Sequence, residues 1–183
     1  RKLGIGKGDV VAIMLPNWWE FVVAAYALGR IGAVPNPLMH IFRERELRFM
    51  LGFADTRAII IPKAFRGFDF EKMLDGLKPD LPKLEHVIVV DGEGDRSFDR
   101  LVMQSDARPI PASEGTPPAP DEMAVLMYPS GTTGEPKGVM HCFNTLIACC
   151  EALGSRFGLT TADVHMGSTP FGHMTGYAAV MFQ

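Results

Sequence analysis

The chain contains 183 residues, of which 47% are hydrophobic and 21% are charged, and its formal net charge is -3 at pH 7. A chain of this length and composition can bury a sizeable core, so it needs neither a disulfide framework nor a structural metal to fold. Because the net charge is close to zero, a general attraction to nucleic acid or to an anionic membrane surface is excluded, and any anion site has to be built locally.

The cysteines and the apolar stretches narrow the class of protein further. Cys142, Cys149 and Cys150 fall in one predicted helix, and neither their odd number nor their spacing fits a disulfide framework or a zinc site. They are typical of small buried side chains in a reducing compartment, which we predict to be the cytoplasm. The longest apolar stretch, residues 21–34, is interrupted by glycines and polar residues and is too short to span a membrane.

The first hundred residues alternate short apolar runs with segments that have apolar residues at helical spacing. Such alternation indicates βαβ units, so the predicted fold class is α/β with a mainly parallel sheet. The predicted strands are Val10–Leu15, Val34–Leu38, Ala58–Ile61 and His86–Val90, and the predicted helices are Trp18–Arg30, one marked by Leu47, Met50, Leu51 and Ala54, then Phe70–Leu77 and Ser97–Gln104.

The helix from Trp18 to Arg30 carries two specific expectations. Asn17 occupies the predicted N-cap position, and Glu20, three positions later, completes a capping box. The helix is apolar nearly all round, so we expect it to be buried against more than one layer of structure.

A proline-rich segment, residues 105–122, separates this first α/β part from the rest and is predicted to be an extended loop. Beyond it we predict a strand at Met123–Met127, a glycine-rich turn and then, directly, a helix that ends near Gly158. One face of this helix is predicted to be apolar, and it consists of Phe143, Leu146, Ile147, Cys150, Leu153 and Phe157.

The turn after that strand has the composition of a phosphate-binding loop. It runs from Tyr128 to Val139 and combines hydroxyl side chains, glycines that free backbone N–H groups, and one lysine. It is not a Walker A motif, because Lys137 lies between Pro136 and Gly138 instead of between a glycine and a hydroxyl residue. Composition leaves two interpretations open: a different kind of polyphosphate site, or a surface turn whose lysine only adds solubility.

The pattern from Ser130 to Gly138 resembles the signature of adenylate-forming enzymes, which comprise acyl-CoA synthetases, adenylation domains of peptide synthetases and luciferases. Pro129 departs from the pattern, since the family usually has Thr or Ser there, and we expect this to tune the loop without abolishing binding. Residues 8–17, 28–37 and 169–176 also resemble elements of the family, so the resemblance extends over nearly the whole chain.

This resemblance implies a reaction in two steps. A carboxylic acid attacks ATP, with Mg²⁺, to form an acyl-adenylate and pyrophosphate, and a thiol, commonly coenzyme A, then takes the acyl group. His173, in the 169–176 element, would line the acyl pocket, while no catalytic residue and no metal ligand is predicted within the chain. The residues implied to hold the ATP phosphates are Ser130, Gly131, Thr132, Thr133, Gly134 and Lys137.

The resemblance also implies that residues 1–183 are part of the large N-terminal domain of such an enzyme, without its C-terminal domain. Residues 1–104 would form a first α/β part, and residues 123–183 would carry the phosphate loop with the helix and strand after it. The parent protein is then expected to be an AMP-forming acid–thiol ligase of fatty acid metabolism, and the isolated piece to be inactive.

Two alternatives stay open at this point: a non-catalytic phosphate-binding or interaction module that retains the loop, and an adenylation domain of a peptide synthetase. The run from Val139 to His141, with the histidine element, favours ligases for medium-chain, alicyclic or aryl acids. No nucleic-acid partner is expected.

Overall fold

The computed structural model describes residues 3–103, 118–129 and 137–181. Its strands are β1 (Val10–Ile13), β2 (Val34–Pro37), β3 (Ala58–Pro62), β4 (Ala64–Phe65), β5 (Phe68–Asp69), β6 (His86–Val90), β7 (Met123–Met127) and β8 (Val139–Cys142). Its α-helices are α1 (Trp19–Arg30), α2 (Glu44–Phe53), α3 (Phe70–Leu77), α4 (Phe143–Phe157) and α5 (Met174–Ala179).

A four-stranded parallel sheet with the strand order β2-β1-β3-β6 forms the centre of the fold. The predicted α/β class with a mainly parallel sheet is therefore confirmed. β6 and α3 have the predicted bounds, whereas β1 ends at Ile13, two residues before the predicted end. In place of the helix predicted at Ser97–Gln104, a π-helical segment covers Asp99–Met103, and Gln104 lies outside the described residues.

Both faces of this sheet are covered, which is why its strands read as continuous apolar runs and not as alternating ones. On one face, Ile13, Ile60 and Ile88 pack with Phe21 of α1. On the other face, a second buried cluster joins Ala12 and Ile59 to Leu47 of α2 and Leu74 of α3. The carboxyl ends of these four parallel strands therefore lie at one edge of a sheet that is packed on both faces.

The environment of α1 differs from the expectation in two ways. Phe21 and Leu28 are buried against the sheet, but Trp19 is 52% exposed and Tyr26 is 48% exposed. Among the described residues the helix is therefore buried on one side only, and the prediction that it packs against more than one layer is wrong. The capping-box prediction is also wrong. Trp18 is the N-cap residue, with no hydrogen bond from its side chain, and Asn17 lies one residue outside the cap.

β7 and β8 form an antiparallel hairpin in which Met127 pairs with Val139. The predicted direct step from the glycine-rich turn to a helix is therefore wrong, because a strand intervenes before α4. β7 lies beside β2, and its residues enter both buried clusters. Its first residue follows Glu122, whose carboxylate lies 2.6 Å from the Lys7 ammonium just before β1. β7 and β1 therefore start at the same edge of the sheet and run in the same direction.

The apolar face predicted for α4 is only partly buried. Leu146 is buried, but Ile147 is 53% and Phe157 is 71% exposed, so this apolar face is only partly covered by the described residues. The helix ends where expected, since Gly158 adopts the left-handed conformation at its C-cap, with φ of 65°. None of the helices among the described residues is long and apolar enough to cross a membrane.

The cysteines are less buried than the sequence suggested. Cys142 lies at the end of β8, and Cys149 and Cys150 lie within α4; all three are partly exposed and none forms a disulfide. Most of the proline-rich loop predicted at residues 105–122 lies outside the described residues.

Candidate active site

The two ends of the predicted phosphate loop are held in place by the β7–β8 hairpin and by α2. Tyr128, directly after β7, is buried, and its hydroxyl donates a hydrogen bond of 2.9 Å to the carbonyl oxygen of Met50 in α2. Burial raises the pKa of Tyr128 to about 12, so its hydroxyl remains a donor at neutral pH. On the other side, a Cβ on Gly138 would lie 3.1 Å from Leu126 and 3.7 Å from the ring of Tyr128, so the two ends approach each other closely.

Lys137 is the one predicted phosphate-binding residue that falls within the described residues. It is exposed, it directly precedes Gly138, and the described part of the chain offers it neither an ion pair nor a hydrogen bond. The other predicted phosphate-binding residues, Ser130, Gly131, Thr132, Thr133 and Gly134, lie outside the described residues.

His173 caps α5 and is exposed. Its Nδ1 accepts a hydrogen bond of 3.3 Å from the backbone N–H of Thr175, and its own carbonyl oxygen accepts one of 2.9 Å from the N–H of Tyr177. Since Nδ1 serves the helix, Nε2 is the ring nitrogen that can face solvent or a ligand. Tyr177 in turn is buried against Phe21 of α1, which fixes α5 to the central sheet.

The segment that leads into His173 is bound to the ends of two strands. The side-chain amide of Asn17, beyond β1, donates 2.9 Å to the carbonyl oxygen of Thr169 and accepts 2.8 Å from the N–H of Phe171. A Cβ on Gly172 would lie only 2.6 Å from the carbonyl oxygen of Leu38, beyond β2, so only glycine allows the two backbones to approach this closely. This role of Asn17 has no signal in the local sequence, because its partners are 152 and 154 residues away.

The segment before His173 and the strand that leads into the predicted phosphate loop lie at one edge of the sheet. Asn17 and the segment before His173 lie at the carboxyl ends of β1 and β2. β7 runs in the same direction as β1, so Tyr128, which opens the predicted phosphate loop, also leaves the sheet at this edge. Ligands of open α/β sheets bind in the crevice at the carboxyl ends of the strands, and this edge is the candidate active site.

Three basic side chains that were not predicted as site residues lie near this edge, and two of them, Arg43 and Arg66, add positive charge to it. His40 and Arg43 follow β2, and Arg66 follows β4. His40 is partly buried, and burial, followed by the nearby charges of Arg66 and Arg43, lowers its pKa. The Arg43 guanidinium lies over the ring of Phe68 at 3.9 Å from the ring centroid. The sequence carries one signal that could have identified these residues. Basic residues closely follow β2 and β3, and anions bind at the carboxyl ends of such strands.

The described residues contain no group of three His, Cys, Asp or Glu side chains that could hold a metal ion.

The family model of the AMP-binding enzymes matches residues 1–183, the whole chain. The chain belongs to the AMP-binding enzyme family. The sequence is 34% identical over 174 residues to a medium-chain fatty-acid–CoA ligase of Escherichia coli, a match that covers 95% of this chain and 31% of that protein. It is 32% identical over 171 residues to a salicyl-AMP ligase/salicyl-S-ArCP synthetase of Mycobacterium tuberculosis, covering 93% of this chain and 30% of that protein.

Solved structures agree with these sequence matches. The fold superposes on a long-chain-fatty-acid-CoA ligase of Archaeoglobus fulgidus with a TM-score of 0.82 and 29% identity, covering 99% of this chain and 34% of that one. It also superposes on the apo structure of MbtA from Mycobacterium smegmatis with a TM-score of 0.84 and 29% identity, covering 97% and 32%. The chain therefore spans about a third of the length of these members of the adenylate-forming ligases.

Proposed function

We propose that the parent protein is an AMP-forming acid–thiol ligase, an acyl-CoA synthetase that activates a carboxylic acid with ATP and transfers the acyl group to coenzyme A. Membership of the AMP-binding family over residues 1–183 carries this proposal. It is supported by the exposed Lys137, which has no ion pair among the described residues, and by the convergence of the loop strand and the His173 segment at one edge of the sheet.

The proposed roles follow the charge of each substrate. ATP and the carboxylic acid are both anions, so donors fixed before the reaction have to offset their repulsion. Lys137 supplies positive charge to the leaving pyrophosphate, and His173 lines the acyl pocket through Nε2. The remaining phosphate contacts are assigned to the side chains and amides of Ser130, Gly131, Thr132, Thr133 and Gly134.

Residues 1–183 are proposed to be part of the N-terminal domain, with residues 1–104 as its first α/β part, 105–122 as a connecting loop and 123–183 as the phosphate-loop part. Since the chain spans about a third of its relatives, we infer that this piece does not complete the reaction by itself. Mg²⁺ enters with the nucleotide. A cytoplasmic location and a role in fatty acid metabolism remain part of the same proposal.

A second candidate differs in the acid and in the acceptor. The identity to a salicyl-AMP ligase/salicyl-S-ArCP synthetase, 32%, is close to the identity to the medium-chain ligase, 34%. An aryl acid with a carrier-protein thiol as acceptor is therefore the alternative within the same chemistry. A non-catalytic module that only binds phosphate is the alternative outside it.

The decisive experiment is exchange between ATP and labelled pyrophosphate in the full-length parent, with a panel of medium-chain and aryl acids. We expect exchange that depends on an acid. The Lys137→Met variant should lose about 10- to 100-fold in exchange, because a hydrogen bond to a charged group contributes about 1.5–3 kcal/mol. A Ser130/Thr132/Thr133 triple-alanine variant should lose more.

Lys83→Met is the matched control, since Lys83 is another exposed lysine and is remote from the loop. It should leave exchange unchanged. Full exchange in the triple variant would reject the loop assignment, and an absence of acid-dependent exchange in the unmodified protein would favour the non-catalytic module. Coenzyme A added after adenylate formation then separates the acyl-CoA product from an adenylate that waits for a carrier protein.

A further inference from the structure

We propose that Asn17 is a positioning residue that sets the place of His173 and thereby the selectivity for the carboxylic acid. This inference rests on the proposed function, since it takes the acyl pocket to be the one that His173 lines. The observation that carries it is a pair of hydrogen bonds, of 2.9 Å to Thr169 and 2.8 Å from Phe171, made by one side-chain amide.

The chemistry of this contact requires an amide. The Nδ2 group donates to a backbone carbonyl, while Oδ1 accepts from a backbone N–H two residues later. Aspartate would keep the acceptor and lose the donor, and an aliphatic residue would lose both. Asn17 thus reproduces, through a side chain, the pairing that a neighbouring strand would give to this segment.

The base of the contact is rigid. Asn17 follows Pro16, which is buried, and the carbonyl oxygen of Pro16 accepts a hydrogen bond of 2.7 Å from the N–H of Trp18 in a tight turn between β1 and α1. The backbone at Asn17 is thus fixed on one side by a central strand and on the other by a packed helix. The segment that it binds is therefore held relative to the sheet and not merely to another loop.

The short stretch between Phe171 and His173 transmits this position. The N–H of His173 donates 3.0 Å to the carbonyl oxygen of Pro170, which closes a turn. On its other side, Gly172 lies directly against the backbone of Leu38, where even a methyl group has no room. The turn is thus held between Asn17 and the end of β2, and a release on the Asn17 side lets the imidazole of His173 shift.

The contact contributes little to overall stability. Asn17 is exposed, and a hydrogen bond between neutral groups contributes about 1 kcal/mol or less in such a place. The segment is separately attached through Phe171, whose ring centroid lies 5.4 Å from that of Phe21. Loss of Asn17 should therefore leave the fold intact, and its effects on folding and on selectivity can be measured apart.

The test uses the full-length parent and compares Asn17→Ala with Asn144→Ala, a change at another exposed asparagine, whose side chain has no hydrogen bond among the described residues. For Asn17→Ala we expect the KM of the carboxylic acid to rise about tenfold, while the KM of ATP and the melting temperature stay near those of the unmodified protein. Asn17→Asp, which keeps one of the two contacts, should give an intermediate rise. Asn144→Ala should change none of these values.

A double-mutant cycle with His173→Ala separates positioning from a general loss of structure. If Asn17 acts through His173, Asn17→Ala should add little to the acid KM once His173 is alanine. Three results would each overturn the role of Asn17: additive effects of the two changes, an unchanged acid KM, or an equal rise in the ATP KM. The proposed function would still hold in these cases if the unmodified protein shows acid-dependent exchange. Absence of exchange in the unmodified protein would overturn both.

Discussion

Two buried polar side chains among the described residues have no hydrogen-bond partner: the amide of Asn36 and the hydroxyl of Thr56. A buried polar group that leaves water without a partner costs about 1–3 kcal/mol. Asn36 lies in β2, between the central sheet and β7, and Thr56 lies between α2 and β3. Both occupy positions that a residue of similar size without polar atoms could fill.

Thr56 offers the cleaner test, because valine has the same shape without the hydroxyl. We expect Thr56→Val to raise the free energy of unfolding by about 1 kcal/mol, since it removes the unpaired oxygen and keeps the packing. The measurement is the melting temperature of the purified protein. Thr56→Ser, which keeps the hydroxyl and removes the methyl group, should lower it; a comparable drop for valine would mean that the hydroxyl has a partner.

At the scale of elements, the position of α5 depends on close backbone contact. A Cβ on Gly176 would overlap the carbonyl oxygen of Pro170 and lie 2.6 Å from its carbonyl carbon. Backbone atoms cannot move aside as a flexible side chain can, so α5 packs where it does only because residue 176 lacks a Cβ.

We therefore expect Gly176→Ala to lower the free energy of unfolding by about 1–3 kcal/mol, the usual cost of overpacking. Gly29→Ala in α1 is the matched control, because a Cβ at residue 29 would have nothing within 4 Å of it. It should be neutral or stabilising by up to about 1 kcal/mol, since alanine favours a helix. The measurement is the melting temperature of both variants. Equal melting temperatures would contradict the close contact between Gly176 and Pro170.

Across the whole molecule, one arginine joins the amino-terminal segment to the starts of two strands. The Arg57 guanidinium lies 2.8 Å from Asp9 and 2.6 Å from Glu85, and it also donates 3.2 Å to the carbonyl oxygen of Gly4. The hydrogen bond from Arg57 is the main reason that the pKa of Glu85 is lowered. This network links the starts of β1, β3 and β6 at the edge of the sheet opposite the candidate site.

A lowered carboxyl pKa has a definite sign for stability. The contribution of Glu85 is present above the pKa that it has in the unfolded chain, and it is lost as pH falls through the lower pKa of the folded state. We expect the melting temperature to fall between pH ~5 and ~3, and Glu85→Gln to make that fall shallower. Glu151→Gln, at an exposed glutamate of α4, is the control and should leave the slope unchanged.

The agreement between prediction and structure depends on the range over which each pattern acts. The bounds of α3 and β6 were predicted correctly because apolar spacing within eight or fewer residues defines them. Asn17 was misassigned because its sequence neighbours suit an N-cap, while its amide binds a segment more than 150 residues away. β8 was missed because an exposed edge strand such as this one has no buried face to mark it.

The sequence by itself determined the α/β class and the adenylate-forming signature, since both lie in short runs of residues that act through their neighbours. Only the tertiary structure decided that the strand opening the phosphate loop runs parallel to β1, that Asn17 holds the segment before His173, and which faces of α1 and α4 are covered. These features depend on the order and direction of strands, and strand order arises from contacts between residues that are far apart in the chain.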